Sequence, residues 1–178
     1  MSKEQKNIVI TSAARTAIGA FRGSLKNKQA HELGAIVVRE VIKKSNLNSI
    51  DVDELIMGQV LTGAVGQNPA RQAAIQANIP IEKTAYVINQ VCGSGLRSVA
   101  AGYQAIMSND SNIVIAGGQE SMSNAPHAIV FRDGQKLEEN KLIDTMIKDG
   151  LWDAFNGYHM GVTAENVANK WKITRKDQ

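Results

Sequence analysis

Cys92 is the side chain in this sequence best suited to covalent chemistry. It is the single cysteine among 178 residues, and it lies between a β-rich run ending at Asn89 and the sequence Gly93-Ser94-Gly95, which is typical of a helix start. The unpaired N–H groups and the dipole of a helix's first turn stabilise a thiolate. Glycines on either side of Ser94 leave room for a planar thioester and for main-chain N–H groups to hold an oxyanion. This arrangement indicates a nucleophile at Cys92.

Two other interpretations of the same segment stay open. Free cysteine is among the most buried residue types, so Cys92 taken alone is equally a small core side chain. Gly93-x-Gly95-x-x-Ser98 also resembles a dinucleotide-binding turn, although the third position is serine and the segment follows the third predicted strand instead of opening the domain. The sequence order of a strand, then cysteine, glycine and a helix favours the interpretation of Cys92 as a nucleophile.

The elements that must position Cys92 alternate between strand and helix patterns up to about residue 118, which predicts a layered α/β domain. The predicted strands cover residues 7–12, 54–60, 84–89 and 112–116, and the predicted helices cover 30–45, 69–78 and 93–109. Asn68-Pro69 supplies a cap and a first-turn proline for the second helix. Beyond residue 118 the pattern weakens into a loop at 121–126, a charged stretch at 132–141 and a helix at 163–172.

Composition excludes several classes of protein. An apolar content of 43% is enough for one packed core, and 20 basic against 17 acidic side chains give a charge of only +3, with no long run of one sign, so no nucleic-acid partner is expected. No apolar stretch approaches the roughly 18 residues of a membrane span. One cysteine permits no internal disulfide, and we expect a cytoplasmic protein. His31-Glu32 is not a zinc helix because Ala35 stands where the second ligand would be, and no metal site is expected.

Four segments together resemble the thiolase family, in particular its biosynthetic acetyl-CoA acetyltransferases. They are SAART at 12–16, GQNPARQ at 66–72, NQVCGSGLR at 89–97 and AGGQESMS at 116–123. The resemblance continues through LIDTM at 142–146, GYHMG at 157–161 and AENVA at 164–168, so that it covers essentially the whole chain. It implies a thiolase-like layered α/β domain with a mixed, mainly parallel sheet covered by helices.

The resemblance also implies a reaction and its site residues. Cys92 would attack acetyl-CoA and keep the acetyl group, and the enolate of a second acetyl-CoA would then attack it to give acetoacetyl-CoA and CoA, reversibly. His159 would be a polar contact in the acyl and pantetheine pocket, and Met160 a wall that keeps the acyl chain short. By chemistry alone His159 would be a partly buried structural histidine and Met160 a core side chain. CoA thioesters are substrates, and no cofactor is expected.

Domain organisation follows from the same resemblance. Residues 1–120 would form the N-terminal thiolase α/β domain and residues 121–178 the beginning of an inserted loop region, with the C-terminal domain absent. The family's two further catalytic groups, a histidine in Gly-His-Pro and a cysteine in Cys-x-Gly-Gly, have no counterpart motif in this sequence. We therefore expect the 178-residue chain to be a truncated, catalytically incomplete form of an enzyme that acts as a homodimer or homotetramer in fatty acid and ketone metabolism.

Two alternatives to this function remain. A ketoacyl synthase also places a cysteine at such a turn, but it uses carrier-bound substrates, and the segment Tyr158-His159-Met160 argues against it. A non-catalytic folded remnant or interaction domain would instead expose apolar patches to its partners.

Overall fold

The computed structural model describes residues 7–130 and 142–178. The chain divides into two compact units, Met1–Asn124 and Ala125–Gln178. In the first unit the helices are α1 (Ala30–Lys44), α2 (Pro69–Gln76) and α3 (Ser94–Ser108), and the strands are β1 (Glu54–Gly58), β2 (Thr84–Ile88) and β3 (Val114–Gly118). The predicted α/β class is confirmed.

The three strands form one parallel sheet in the order β2-β1-β3. Gly58 of β1 is in register with Ile88 of β2 and with Gly118 of β3, so the three strands end level with one another. α2 connects β1 to β2, and α3 connects β2 to β3. As in other parallel α/β sheets, the loops that follow the carboxyl ends of the strands therefore meet at one edge.

The core is built on the alternation of side chains along β1. Leu55 and Met57 pack with α1 and α2 in one buried cluster, whereas Gly58, one position out of phase with them, lies against the start of α3 on the opposite face. α2 contributes only small side chains to the cluster, and these are almost completely buried: Ala70, Ala73, Ala74 and Ala77. Small side chains let α2 lie close to both the sheet and α1.

Local sequence signals set where the helices begin. Gln29 and Glu32 form the capping box of α1, in which the Glu32 carboxylate accepts from the Gln29 N–H at 2.7 Å. Asn68 caps α2 by accepting from the Arg71 N–H at 3.1 Å, and proline follows it as predicted. The three predicted helices of the first unit are confirmed, with boundaries that differ by at most two residues.

The predicted first strand, residues 7–12, is wrong. This segment pairs with no strand among the described residues, and its Val9 and Ile10 side chains are 72% and 82% exposed. Its residues line one side of a cavity of about 600 Å³, and the edge of β3 and faces of α1 and α3 line the rest. β-branched residues favour extended backbone, but a strand also needs a neighbour that supplies the ladder hydrogen bonds.

The second unit contains the short antiparallel pair β4 (His127–Ala128) and β5 (Ile143–Asp144), a π-helical turn at Met146–Leu151, and α4 (Met160–Trp171). The helix predicted at 163–172 is confirmed and begins three residues earlier. The predicted charged stretch at 132–141 lies outside the described residues. The domain boundary at 120/121 and the inserted character of residues 121–178 stay predictions.

Asp53, directly before β1, connects the amino-terminal ends of the three strands. Its carboxylate accepts from the N–H groups of Asn112 at 2.9 Å and Ile113 at 3.2 Å and from the Lys83 ammonium at 3.1 Å. The Asn112 N–H first, then that of Ile113 and the Lys83 ammonium, hold the pKa of Asp53 below its ordinary value of 3.8. The ionised form is therefore the one that stabilises the fold.

We expect Asp53→Ala to lower the free energy of unfolding by about 1–3 kcal/mol at pH 7, because two backbone N–H groups lose a charged acceptor. A lowered pKa means that this stabilisation is present in full above the unfolded-state pKa and is lost only as the pH falls through the folded-state pKa, which lies below 3.8, so the variant and the unaltered chain should converge only at pH values under that folded-state pKa. Urea unfolding at pH 7 and at about pH 2.5 measures this. Lys83→Ala, which removes only the ion pair, should cost less, and a constant difference at both pH values would contradict the account.

Candidate active site

Cys92 lies on a tight turn between β2 and α3. β2 ends at Ile88 and α3 begins at Ser94, so residues 89–93, hereafter the Cys92 turn, reverse the chain at the carboxyl edge of the sheet. Cys92 precedes the N-cap residue, Gly93, and its side chain is an exposed free thiol. Exposure removes the interpretation of Cys92 as a core side chain.

The backbone of the Cys92 turn is held in an unusual conformation. Val91 has a φ of +49°, in the left-handed region that β-branched residues rarely adopt. The Asn89 side chain accepts from the Val91 N–H at 2.9 Å, and the Ser94 hydroxyl accepts from the Gln90 N–H at 2.8 Å and donates to the Val91 carbonyl at 2.6 Å. Such strain persists only where surrounding bonds over-determine it, and it is common at functional sites.

The first turn of α3 presents main-chain donors beside the thiol. Gly93, the N-cap residue, makes no side-chain cap bond. The N–H groups of Gly95 and Leu96 donate no hydrogen bond within residues 7–130 or 142–178. Together with the dipole of a 15-residue helix, these groups form a region suited to holding an oxyanion.

Gly58 fixes how closely α3 approaches the sheet, and sequence analysis missed it. A Cβ placed at Gly58 would lie 2.4 Å from the Ser94 carbonyl carbon and 2.5 Å from the Gly95 nitrogen, distances that no real Cβ adopts. By contrast, a Cβ at Gly95 would make ordinary contact, at 3.8 Å, with Gly118. The packing requirement for glycine is therefore at Gly58, inside β1, where a glycine in a strand signals close approach of another backbone.

A buried polar network connects the exits of β1 and β3 at the same edge. The Gln119 amide donates to the Gln59 carbonyl oxygen at 2.8 Å, and Gln59 donates to the Leu61 carbonyl at 2.9 Å. Glu120 accepts from the N–H groups of Val60 at 2.8 Å and Leu61 at 3.3 Å. Burial raises the pKa of Glu120, and those N–H groups only partly oppose the rise. Sequence analysis predicted a loop at 121–126 after the last strand and did not predict this network.

His159 and Met160 belong to the second unit, and both are partly buried. His159 caps α4, since its Nδ1 accepts from the Gly161 N–H at 2.9 Å. In a neutral imidazole whose Nδ1 accepts a hydrogen bond, the proton is on Nε2, so Nε2 is the nitrogen that can donate. Cys92 belongs to the first unit, so a shared pocket for the three residues stays a prediction from the resemblance.

Groups of three or more His, Cys, Asp or Glu side chains placed to hold a metal ion are absent from the residues that the structure describes. Within the same residues, every helix is too short or too polar to cross a membrane.

Comparison with known proteins agrees with the parallel sheet and flanking helices described above. Residues 8–178 match the model of the thiolase N-terminal domain. The chain belongs to the thiolase family. It is 61% identical over 170 residues to an acetyl-CoA acetyltransferase of Paracoccus denitrificans and 58% identical over 172 residues to one of Rhizobium meliloti. A probable acetyl-CoA acetyltransferase of Escherichia coli is 51% identical over 174 residues.

These matches cover 96% or 97% of this chain but 44% of the length of each relative. The thiolase chain described here thus spans less than half the length of the curated relatives it matches. What those complete proteins do reaches this chain only as a proposal.

Proposed function

We propose that this thiolase chain carries the acyl-accepting nucleophile, Cys92, of an acetyl-CoA C-acetyltransferase. The observation that carries the proposal is the exposed Cys92 thiol on a strained strand-to-helix turn. This turn leads into the start of α3, where the N–H groups of Gly95 and Leu96 donate no hydrogen bond among the described residues. The names of the relatives supply the substrate class, CoA thioesters.

The first half of the proposed reaction takes place on Cys92, in the first unit. The Cys92 thiolate attacks the thioester carbonyl of acetyl-CoA, and the N–H groups at the start of α3 stabilise the resulting oxyanion. The carbon–sulfur bond to CoA breaks, CoA leaves as a thiolate that takes up a proton from water, and the acetyl group stays on the Cys92 sulfur. Because one thioester replaces another, this step is nearly balanced in energy.

The second half requires removal of an α-proton from a second acetyl-CoA, whose enolate attacks the acetyl group, releases Cys92 and gives acetoacetyl-CoA. The family resemblance assigns the base for the nucleophile to a histidine in Gly-His-Pro and the α-proton base to a cysteine in Cys-x-Gly-Gly, and residues 1–178 contain neither motif. We therefore expect the 178-residue chain alone to accept an acetyl group slowly and not to condense it.

The remaining roles are proposed on the resemblance. His159 would donate from Nε2 to the acyl or pantetheine part of the substrate, which agrees with Nδ1 being occupied by the Gly161 N–H. Met160 would limit acyl length. The complete enzyme would act in the cytoplasm as a homodimer or homotetramer, in fatty acid and ketone metabolism, without a cofactor.

Incubating the purified chain with acetyl-CoA tests the proposed function. We expect about one equivalent of CoA to be released per chain and no acetoacetyl-CoA to form. An acetylated acyl carrier protein, offered in a parallel reaction, should not serve as donor; transfer from it in preference to acetyl-CoA would favour a ketoacyl synthase. Absence of CoA release would contradict the proposal, and sustained formation of acetoacetyl-CoA would contradict the expected incompleteness.

A non-catalytic interaction domain is the second candidate. It is favoured by large apolar side chains that are exposed in the first unit: Val9, Ile10, Ile18, Phe21, Leu96 and Tyr103. In that case the chain would release no CoA from acetyl-CoA even though it is folded.

A further inference from the structure

The Ser94 hydroxyl bridges the two residues that precede Cys92. Ser94 is 4% exposed, and its oxygen lies 2.8 Å from the Gln90 nitrogen and 2.6 Å from the Val91 carbonyl oxygen. The first contact uses the hydroxyl as an acceptor and the second uses it as a donor. The two hydrogen bonds of the Ser94 hydroxyl therefore close a ring of backbone atoms that includes the backbone of Cys92.

The strained residue in that ring is Val91. A β-branched residue with φ near +49° lies about 1–2 kcal/mol above its extended conformations, so it relaxes unless its neighbours hold it. The Val91 carbonyl also accepts from the Ser94 N–H at 3.1 Å, and the Asn89 side chain holds the Val91 N–H. Rotation of the peptide unit between Val91 and Cys92 would change the orientation of the thiol.

Ser98, one turn further along α3, offers a matched comparison. It is also fully buried, and its hydroxyl donates to the carbonyls of Gly95 at 2.6 Å and Gly117 at 2.7 Å. These bonds connect α3 to β3 and do not touch residues 89–93. Loss of the Ser98 hydroxyl therefore reports on the stability cost of a buried serine without altering the Cys92 turn.

We propose that Ser94 is a positioning residue for Cys92: its hydroxyl holds Val91 in the left-handed conformation and thereby fixes the orientation of the Cys92 thiol. The proposal rests on the proposed function, in which Cys92 is the nucleophile. It concerns how the thiol is oriented, and Ser94 itself does not touch the substrate.

The test is the rate at which iodoacetamide alkylates Cys92 between pH 6 and pH 10, measured by intact mass on the 178-residue chain, Ser94→Ala and Ser98→Ala. Since Cys92 is the single cysteine, the mass reports that thiol alone. Both variants should lose similar thermal stability, but only Ser94→Ala should react about fivefold or more slowly at neutral pH, because only there does the thiol lose its fixed orientation. Ser94→Thr, which keeps the hydroxyl, should restore the rate.

Asn89→Ala provides a second variant at an exposed position that also holds Val91, and it should slow alkylation in the same direction; it decides the matter if Ser94→Ala does not fold. Unchanged rates in these variants, or equal changes in Ser94→Ala and Ser98→Ala, would overturn the proposal. Failure of the proposed function is distinguishable, because the unaltered chain would then take no acetyl group from acetyl-CoA while the alkylation differences remained.

Discussion

Cys92→Ser is expected to slow release of CoA from acetyl-CoA by at least about 10³-fold, because a hydroxyl is a far weaker nucleophile than a thiolate near neutral pH and the chain has no second cysteine. The thiol is exposed, so its replacement should change the free energy of unfolding by less than about 0.5 kcal/mol. Chromatographic separation of free CoA from acetyl-CoA, together with urea unfolding, measures both quantities.

Cys92→Ala is the companion variant, since it removes the oxygen that could itself accept an acetyl group slowly. Both variants should be equally inactive within the assay's limit. CoA release at the unaltered rate from either variant would show that the acetyl group goes elsewhere, for example to an exposed lysine, and would remove the basis for the proposed mechanism.

Gly58→Ala is expected to destabilise the chain by about 2 kcal/mol or more and to slow alkylation of Cys92. The added Cβ would lie 2.4 Å from the Ser94 carbonyl carbon, and because the opposing atoms belong to the backbone, the first turn of α3 must move as a whole. Movement of that turn also moves the Cys92 turn that precedes it. Urea unfolding and the iodoacetamide reaction measure the two effects.

Gly117→Ala is the matched control, since it adds the same methyl group to β3 in the same sheet. A Cβ there meets no atom within 4 Å, and Gly117 does not have a positive φ, so we expect a change below about 1 kcal/mol and normal alkylation. Equal destabilisation by the two substitutions would mean that the cost comes from glycine in a strand and not from contact with α3.

Helices of this chain were predictable because their signals are local. The capping box of Gln29 and Glu32 and the Asn68-Pro69 pair each act within one turn of backbone, and the helices begin where these residues place them. The absence of a strand at 7–12 was not predictable, since Ile8, Val9 and Ile10 favour extended backbone whether or not another strand pairs with them.

The residues of the candidate site likewise divide into those with a local sequence signal and those whose role depends on contacts across the fold. The sequence predicted that Cys92 directly precedes the N-terminus of α3. The order of a strand, a cysteine, a glycine and a helix was sufficient for this prediction, because that order is itself a local pattern. Gly58 and Ser94 were missed because their importance depends on contacts across the fold: one on the distance between β1 and α3, the other on a bond back across the Cys92 turn. His159 and Met160 remain predictions that rest on family resemblance.

Mapping the acetyl group after incubation with acetyl-CoA tests most directly whether Cys92 is the acyl acceptor. The chain would be digested and each peptide weighed, with a parallel sample treated with neutral hydroxylamine to cleave thioesters. We predict one acetyl group on the peptide containing Cys92, lost on hydroxylamine treatment. An unmodified Cys92 peptide, or acetylation confined to lysine and stable to hydroxylamine, would contradict the account.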